Sequence, residues 1–373
     1  SSPSQPRAAR EAGLCRAAVM GDNTRISQLS ALLPPSLAFQ EVPGDMPTYH
    51  QVVETRQQVL DILSGADDRL VVVLGPPADS DPAALTELAT QLQALKPKLE
   101  KELLLIVLAD AALQPEGTEA VQINRGLRQA RELLLQISRL GLPVACEFAD
   151  TITPQFFADL LSWSCVSAGS ETLRELVSGL SMPAGLRAHV DATSAERMAA
   201  VAASLADAAG PQVFFGVTSH GIAGIVQSKG NDECALVMHG GAGTPEERAQ
   251  RIVGACTELR KAAPVASAAP AAPPVIVECG GAEVTPDAQA QFVAKLAEAH
   301  GAGDLQLQGL SLSSHLLSGS QAADAPNRVR GLSITEPCLD WAATSEAVHA
   351  VAAAVRRRNA ATAGAATKKP RRG

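Results

Sequence analysis

The chain has 373 residues, 46% of them hydrophobic and 19% charged, which is enough apolar material for a large core and excludes a disordered protein. Only 3% are aromatic, so the stacking platforms of single-stranded nucleic-acid binders are missing, and a formal net charge of −8 argues against a general polyanion-binding surface. Seven cysteines without a CxxC pair fit reduced thiols better than a disulfide framework, and no run reaches the about eighteen apolar residues of a membrane helix.

Residues 1–19 are basic, Ser/Ala-rich and poor in acids, without the apolar core of a signal peptide, and read as a flexible extension. They are either the remnant of an organelle transit segment or sequence upstream of Met20. The corresponding locations are an organelle matrix or, as the main expectation, the cytoplasm. A short helix is expected over Thr24–Leu33, ended by Pro34-Pro35. Val52–Leu63 is predicted to be an amphipathic helix, with Val52, Val53, Val59, Leu60 and Leu63 at helical spacing.

From there short apolar runs alternate with long helical patterns. The predicted strands are Leu70–Leu74, Leu104–Leu108, Pro143–Glu147, Cys165–Ser167, Ala184–Ala188, Val213–Val217, Pro274–Cys279 and Leu305–Leu312. The helices between them are Pro82–Leu95, Gly126–Leu140, Pro154–Ser162, Ala195–Ala209, Pro245–Ala262 and Pro286–His300. Eight such units predict an α/β fold, a (β/α)8 TIM barrel over residues 20–359; a doubly wound open sheet is the alternative, and the count of eight favours the barrel. Ala262–Pro274 (AAPVASAAPAAPP) reads as an extended Pro/Ala linker before the seventh strand. Ala360–Gly373 ends in KKPRRG and is expected to be a disordered basic tail, the one part that could meet nucleic acid or an acidic partner. Arg356–Arg358 are expected to cap the last helix.

In a barrel, function sits at the C-terminal strand ends. The first of these is LVVVLGPPADSDP (Leu70–Pro82), a buried strand running into Gly75-Pro76-Pro77, after which Asp81-Pro82 opens a helix. Together with DDRLVVVLGP (Asp67–Pro76), QIN.GLR.AR.LLL (Gln122–Leu135), GLP.A.EF.D.ITPQ (Gly141–Gln155), RE..SGLS.P (Arg174–Pro183) and SHL..G.Q (Ser314–Gln321), it resembles the type I synthases of 3-deoxy-D-arabino-heptulosonate 7-phosphate (DAHP). The resemblance runs from about Asp22 to about Arg358.

That family joins phosphoenolpyruvate to erythrose 4-phosphate at the entry of the shikimate route. The resemblance implies a divalent metal such as Mn²⁺, held by Cys, His, Glu and Asp, and Arg and Lys residues that grip phosphates and a carboxylate. The positions matching the metal ligands here are Pro77, Gly281, Ser313 and Glu336. Those matching the cationic grips are Ala109, Gln114, Glu116, Gly169 and His239, and only the fifth-strand Lys is conservatively kept, as Arg187. Each hydrogen bond to a charged group contributes roughly 1.5–3 kcal/mol, so losing five or six together with the metal removes more than an enzyme can spare. No intact catalytic or metal site, and so no cofactor, is expected.

Positions matching the family's aromatic-amino-acid feedback pocket survive: Pro154, Gln155, Leu180, Ser181 and Phe214, with Asp22 near the segment that completes the pocket from a neighbouring subunit in the family. Pro154, Leu180 and Phe214 also read simply as core and helix-start residues. Glu147 is expected to keep a structural hydrogen-bonding role, and His220, His239 and His315 are scattered over separate loops.

The expectation is therefore an inactive DAHP-synthase-like protein, a regulatory or structural subunit in a homo- or hetero-oligomer, whose partner is an active paralogue or a larger assembly. The alternatives are a residual or altered aldol-type transferase and an aromatic amino-acid sensor.

Overall fold

Apolar runs without alternation set the centre of the molecule. β1 (Leu70–Gly75) and β2 (Leu103–Leu108) consist of Leu, Val and Ile apart from the final glycine of β1, and are buried almost throughout, as in parallel sheets covered on both faces. The structure, a computed structural model, describes residues 24–26, 28–77, 81–109, 120–189, 203–262 and 272–367. With β3 (Val144–Glu147), β4 (Trp163–Ser167), β5 (Ala184–His189), β8 (Cys234–His239), β9 (Val275–Glu278) and β10 (Gly309–Ser313), they close a barrel in the order β1, β10, β9, β8, β5, β4, β3, β2. All eight pairings are parallel. The open sheet is thereby excluded.

The strand expected at Val213–Val217 is not one of the eight. It is β6 of a separate antiparallel hairpin with β7 (Ala223–Gln227), and the sixth barrel strand is Cys234–His239. Burial explains the difference. Val213–Val217 is exposed on alternate residues, whereas Cys234–Met238 is buried without interruption, as a barrel strand must be.

Val71 and Val73, Leu104 and Ile106, Trp163 and Cys165, and Ala235 and Val237 form one buried cluster with Ala145 and Ile276. The spacing of two within each strand marks them as one face, the barrel interior. Val59, Ile62 and Leu63 of the helix before β1 join this cluster and close the N-terminal end. The C-terminal end is left for the site. Strands approach closely there: a Cβ on Gly75 would lie 2.3 Å from the Leu108 carbonyl oxygen, so only glycine fits.

The helices are α1 (Pro35–Glu41), α2 (Met46–Ser64), α3 (Pro82–Leu99), α4 (Ala120–Arg139), α5 (Pro154–Phe157), α6 (Glu171–Ser178), α7 (Pro245–Ala262), α8 (Pro286–Ala302) and α9 (Trp341–Thr367). Side-chain caps start several of them: Asp45 accepts from Thr48 N, Asp81 from Ala84 N and Thr285 from Ala288 N. The helix expected over Pro154–Ser162 is shorter, continuing only as a 3₁₀ turn at Ala158–Leu160. Of Ala195–Ala209, residues 203–209 are described and helical.

The chain divides into two units, Ser1–Leu33 and Pro34–Gly373. Among the described residues of the first there is no helix, against the expectation for Thr24–Leu33. Pro34-Pro35 does not end a helix but begins α1, with Pro35 at the first helical position, where its missing N–H costs nothing. The extension 1–19 and most of the linker lie outside the described residues.

At the other end the tail expected from Ala360 is helical as far as Thr367, because α9 continues through the alanine-rich stretch. Arg356–Arg358 are accordingly inside α9 and not at its cap. Arg356 pairs with Glu102 at 3.3 Å, and Arg358 donates to Leu305 O at 3.0 Å, so they tie the helix to the barrel. Among the described residues no helix is long and apolar enough to cross a membrane.

Candidate functional site at the open end of the barrel

The C-terminal strand ends surround a cavity of about 570 Å³ lined by residues that include Arg187, His239, Glu278, Gly281 and Glu336. Arg187, the last cation of the family set, projects from β5. It donates to Glu147 of β3, and its Nε lies 2.9 Å from Glu278 Oε2 of β9. One guanidinium thus faces two carboxylates. Burial works against its charge, but Cys165, Glu278 and Glu147 outweigh that and hold its pKa above the ordinary arginine value.

His239, at the end of β8, accepts from Gly241 N at Nδ1 (3.2 Å) and has Nε2 2.8 Å from the Gly280 carbonyl oxygen. In this pattern Nδ1 is the acceptor and Nε2 is the nitrogen placed to donate.

The positions that the resemblance assigns to the metal do not make a donor set. Pro77 offers only its carbonyl, which accepts from Thr335 Oγ1 at 2.5 Å. Gly281 has φ 144°, and a Cβ there would lie 2.7 Å from His239 Nε2, so His239 fills the space that a side chain would need. Ser313 donates its hydroxyl to Glu336 Oε1. Burial raises the Glu336 pKa against the opposing Ser313 bond, with Glu278 and Glu147 adding to the rise and Arg187 opposing it. A neutral hydroxyl bonded to one reluctant carboxylate does not fit a divalent transition metal. Among the described residues no cluster of His, Cys, Asp and Glu is arranged to hold one.

Of the remaining expected positions, Ala109 is buried at the end of β2 with its N–H bonded to Ala145 O at 2.9 Å, and Gly169 lies in the turn before α6. Gln114 and Glu116 lie outside the described residues. His220 sits in the hairpin turn and His315 is buried beyond β10, so neither lines this cavity. Glu278 was not singled out from the sequence; its place at a strand end, just before Cys279-Gly280-Gly281, was the available signal. The six described cysteines are all buried, and none of them forms a disulfide.

A second cavity, of about 240 Å³, lies between α5, α6 and the hairpin. Pro154, Gln155, Leu180, Ser181 and Phe214 all line it, with Asp159 and Val226 among the others. Behind it Arg131, fully buried, grips Asp159 through two bonds of 2.7 Å and also donates to Val42 O and Phe156 O. The hairpin supplies one wall: Phe214 and Val226, a register pair, face in, while Phe215 and Ile225, the next pair, face out at 81% and 70% exposure. Asp22 lies outside the described residues.

A closed parallel barrel with its ionisable groups gathered at the C-terminal strand ends defines the class of (β/α)8 proteins built on an enzyme scaffold. A profile of the DAHP synthetase I family matches residues 48–349, and the chain belongs to that family. It is 33% identical over 355 residues to the Phe-sensitive phospho-2-dehydro-3-deoxyheptonate aldolase of Escherichia coli K12, covering 90% of this chain and 98% of that one. It is 30% identical over 362 residues to the tyrosine-inhibited phospho-2-dehydro-3-deoxyheptonate aldolase of Schizosaccharomyces pombe, covering 90% and 94%. The solved structure of the phospho-2-dehydro-3-deoxyheptonate aldolase of Francisella tularensis SCHU S4 superposes with a TM-score of 0.78 at 29% identity, over 89% of this chain and 99% of that one.

Proposed function

We propose that this member of the family is catalytically inactive and works through protein contacts, as a regulatory or structural subunit linked to aromatic amino-acid biosynthesis. The observation that carries the reading is the state of Arg187. A phosphate needs positively charged forks, and this guanidinium is already committed to Glu147 and Glu278. An incoming anion would meet two negative charges for one positive. The donor-poor positions Pro77 and Gly281 support the same reading.

For the contacts, support comes from the outer hairpin face, where Phe215 and Ile225 are adjacent and exposed. Val213 and Ile222 of the same hairpin are exposed as well, and a contiguous apolar patch in solvent supports a protein-contact surface. Purified protein incubated with Mn²⁺, phosphoenolpyruvate and erythrose 4-phosphate is expected to form no DAHP above a protein-free blank. Product at an ordinary enzymatic rate overturns the reading and favours the residual transferase.

A second reading, an aromatic amino-acid sensor, is favoured by the gathering of five expected effector positions on one cavity. Relatives with Phe-sensitive and tyrosine-inhibited in their names point the same way. Calorimetry with Phe, Tyr and Trp tests it: binding that Phe214→Ala abolishes supports a sensor, and no heat with millimolar ligand rejects it.

A further inference from the structure

Arg248, the fourth residue of α7, is 1% exposed at the back of the larger cavity. Its Nη2 donates to Cys279 O at 2.9 Å, and its guanidinium lies 4.0 Å from the centre of the Phe292 ring. Among the described residues Nε and Nη1 have no hydrogen-bond partner, and no carboxylate pairs with the guanidinium. Burial works against its charge, Cys279 partly supports it, and Arg251 in the next turn of α7 adds a second cation. A buried guanidinium without a counter-charge is costly, and its stacking on Phe292 offsets only part of that.

Two helix ends add a local preference for negative charge at the Arg248 end of the cavity. α7 and α8, of 18 and 17 residues, both begin at this cavity, with Gly243 before the first and Val284 and Ala288 at the start of the second. Their N-terminal dipole ends favour negative charge. The other ionisable groups lining the cavity have partners or face solvent: Arg187 and Glu278 are paired, Glu336 is bonded to Ser313, His239 is bonded to Gly241 and Gly280, and Glu283 is exposed.

We propose that the Arg248 end of this cavity binds a small oxyanion, the carboxylate or phosphate group of a ligand, between the N-termini of α7 and α8. The anion supplies the acceptors that Nε and Nη1 lack. Both atoms are covered in this conformation. Gly240 lies beside Nε, where a Cβ on it would lie 3.4 Å from that atom, and Gly241 (φ 69°) and Gly243 (φ 121°) follow, a loop with the backbone freedom to open. Arg248 is not among the positions that the resemblance assigns to substrate, although it shares the cavity with His239 and Gly281, and the proposal stands whether or not the chain is inactive.

Thermal unfolding of the full chain is followed in rising inorganic phosphate and, separately, rising malonate, each against sodium chloride at matched ionic strength. Near 100 Kd, one of them is expected to raise the midpoint by roughly 5 °C beyond chloride. Arg248→Met is expected to abolish the rise. So is Ala288→Glu, which places a carboxylate in the same cavity at a helix position where Glu is well tolerated, so that the fold is kept. A rise with phosphate alone assigns a phosphorylated ligand, and one with malonate alone a carboxylate. No rise beyond chloride with either anion, or a rise that either folded variant retains, overturns the proposal.

Discussion

Arg187 of β5 and Glu278 of β9 face each other across β8, with Nε 2.9 Å from Oε2, and Glu147 holds the other side of the same guanidinium. The three ends of the network sit on three strands, so it ties the open rim together. Arg187→Met leaves two carboxylates without their cation. A buried pair broken in this way costs about 3–5 kcal/mol, and the partial exposure of this one reduces that to roughly 1–3 kcal/mol. Urea unfolding checks it, and the double variant Arg187→Met/Glu278→Gln is expected to recover part of the loss.

Arg131 is the firmer anchor. It is fully buried and bonds Asp159 and the Val42 and Phe156 carbonyls at once. Arg131→Ala strands the Asp159 carboxylate and two carbonyls, with an expected loss of about 3–5 kcal/mol in denaturant unfolding. Arg131→Lys is expected to recover little, because an ammonium cannot supply the planar fork.

His300 makes stability depend on pH. Burial, and then Arg358, push its pKa down to about 4 from 6.5, and Arg358 Nη1 lies 3.3 Å from its Nδ1. The folded form resists protonation while the unfolded chain accepts it. Its contribution is therefore complete above pH 6.5 and is lost as pH falls toward 4, to a total of roughly 3 kcal/mol. Unfolding free energies measured across that window should show the slope, and His300→Gln should flatten it.

Glu336 has the opposite sign. Its carboxyl is raised above the ordinary 4.5, chiefly by burial, so the folded state prefers it protonated. The stabilisation is present below pH 4.5 and is lost as pH rises through the elevated folded value. Glu336→Gln is accordingly expected to raise the unfolding midpoint at neutral pH and to leave it nearly unchanged in acid. A lower midpoint at neutral pH contradicts this assignment.

Seven of the eight barrel strands were legible, β1, β2 and β9 most plainly, where a parallel strand buried on both faces is written as an apolar run. The eighth was assigned to Val213–Val217, whose Val-Phe-Phe composition suits any strand, inside or outside the barrel. What distinguishes it is pairing, and a turn such as Thr218–Gly221 is visible as a hairpin only once Gly224 is seen opposite Gly216. The partners of Arg187 were hidden for a related reason. Glu147 and Glu278 lie 131 positions apart in the chain and meet only because the barrel closes. Arg248 gave no signal at all, since a helix arginine is ordinarily in solvent and only tertiary packing buries it.

The hairpin's position outside the barrel has a mechanical consequence. β5 bonds directly to β8, so no ladder bond of the barrel depends on the hairpin. Phe215 and Ile225 on its outside and Phe214 and Val226 on its inside are back to back on the same two strands. The outer pair therefore backs directly onto the wall of the smaller cavity, and the ribbon is moored to the frame where Ser36 N donates to Ser219 O at 2.8 Å and where the Ser178 and Ser228 hydroxyls meet at 2.6 Å.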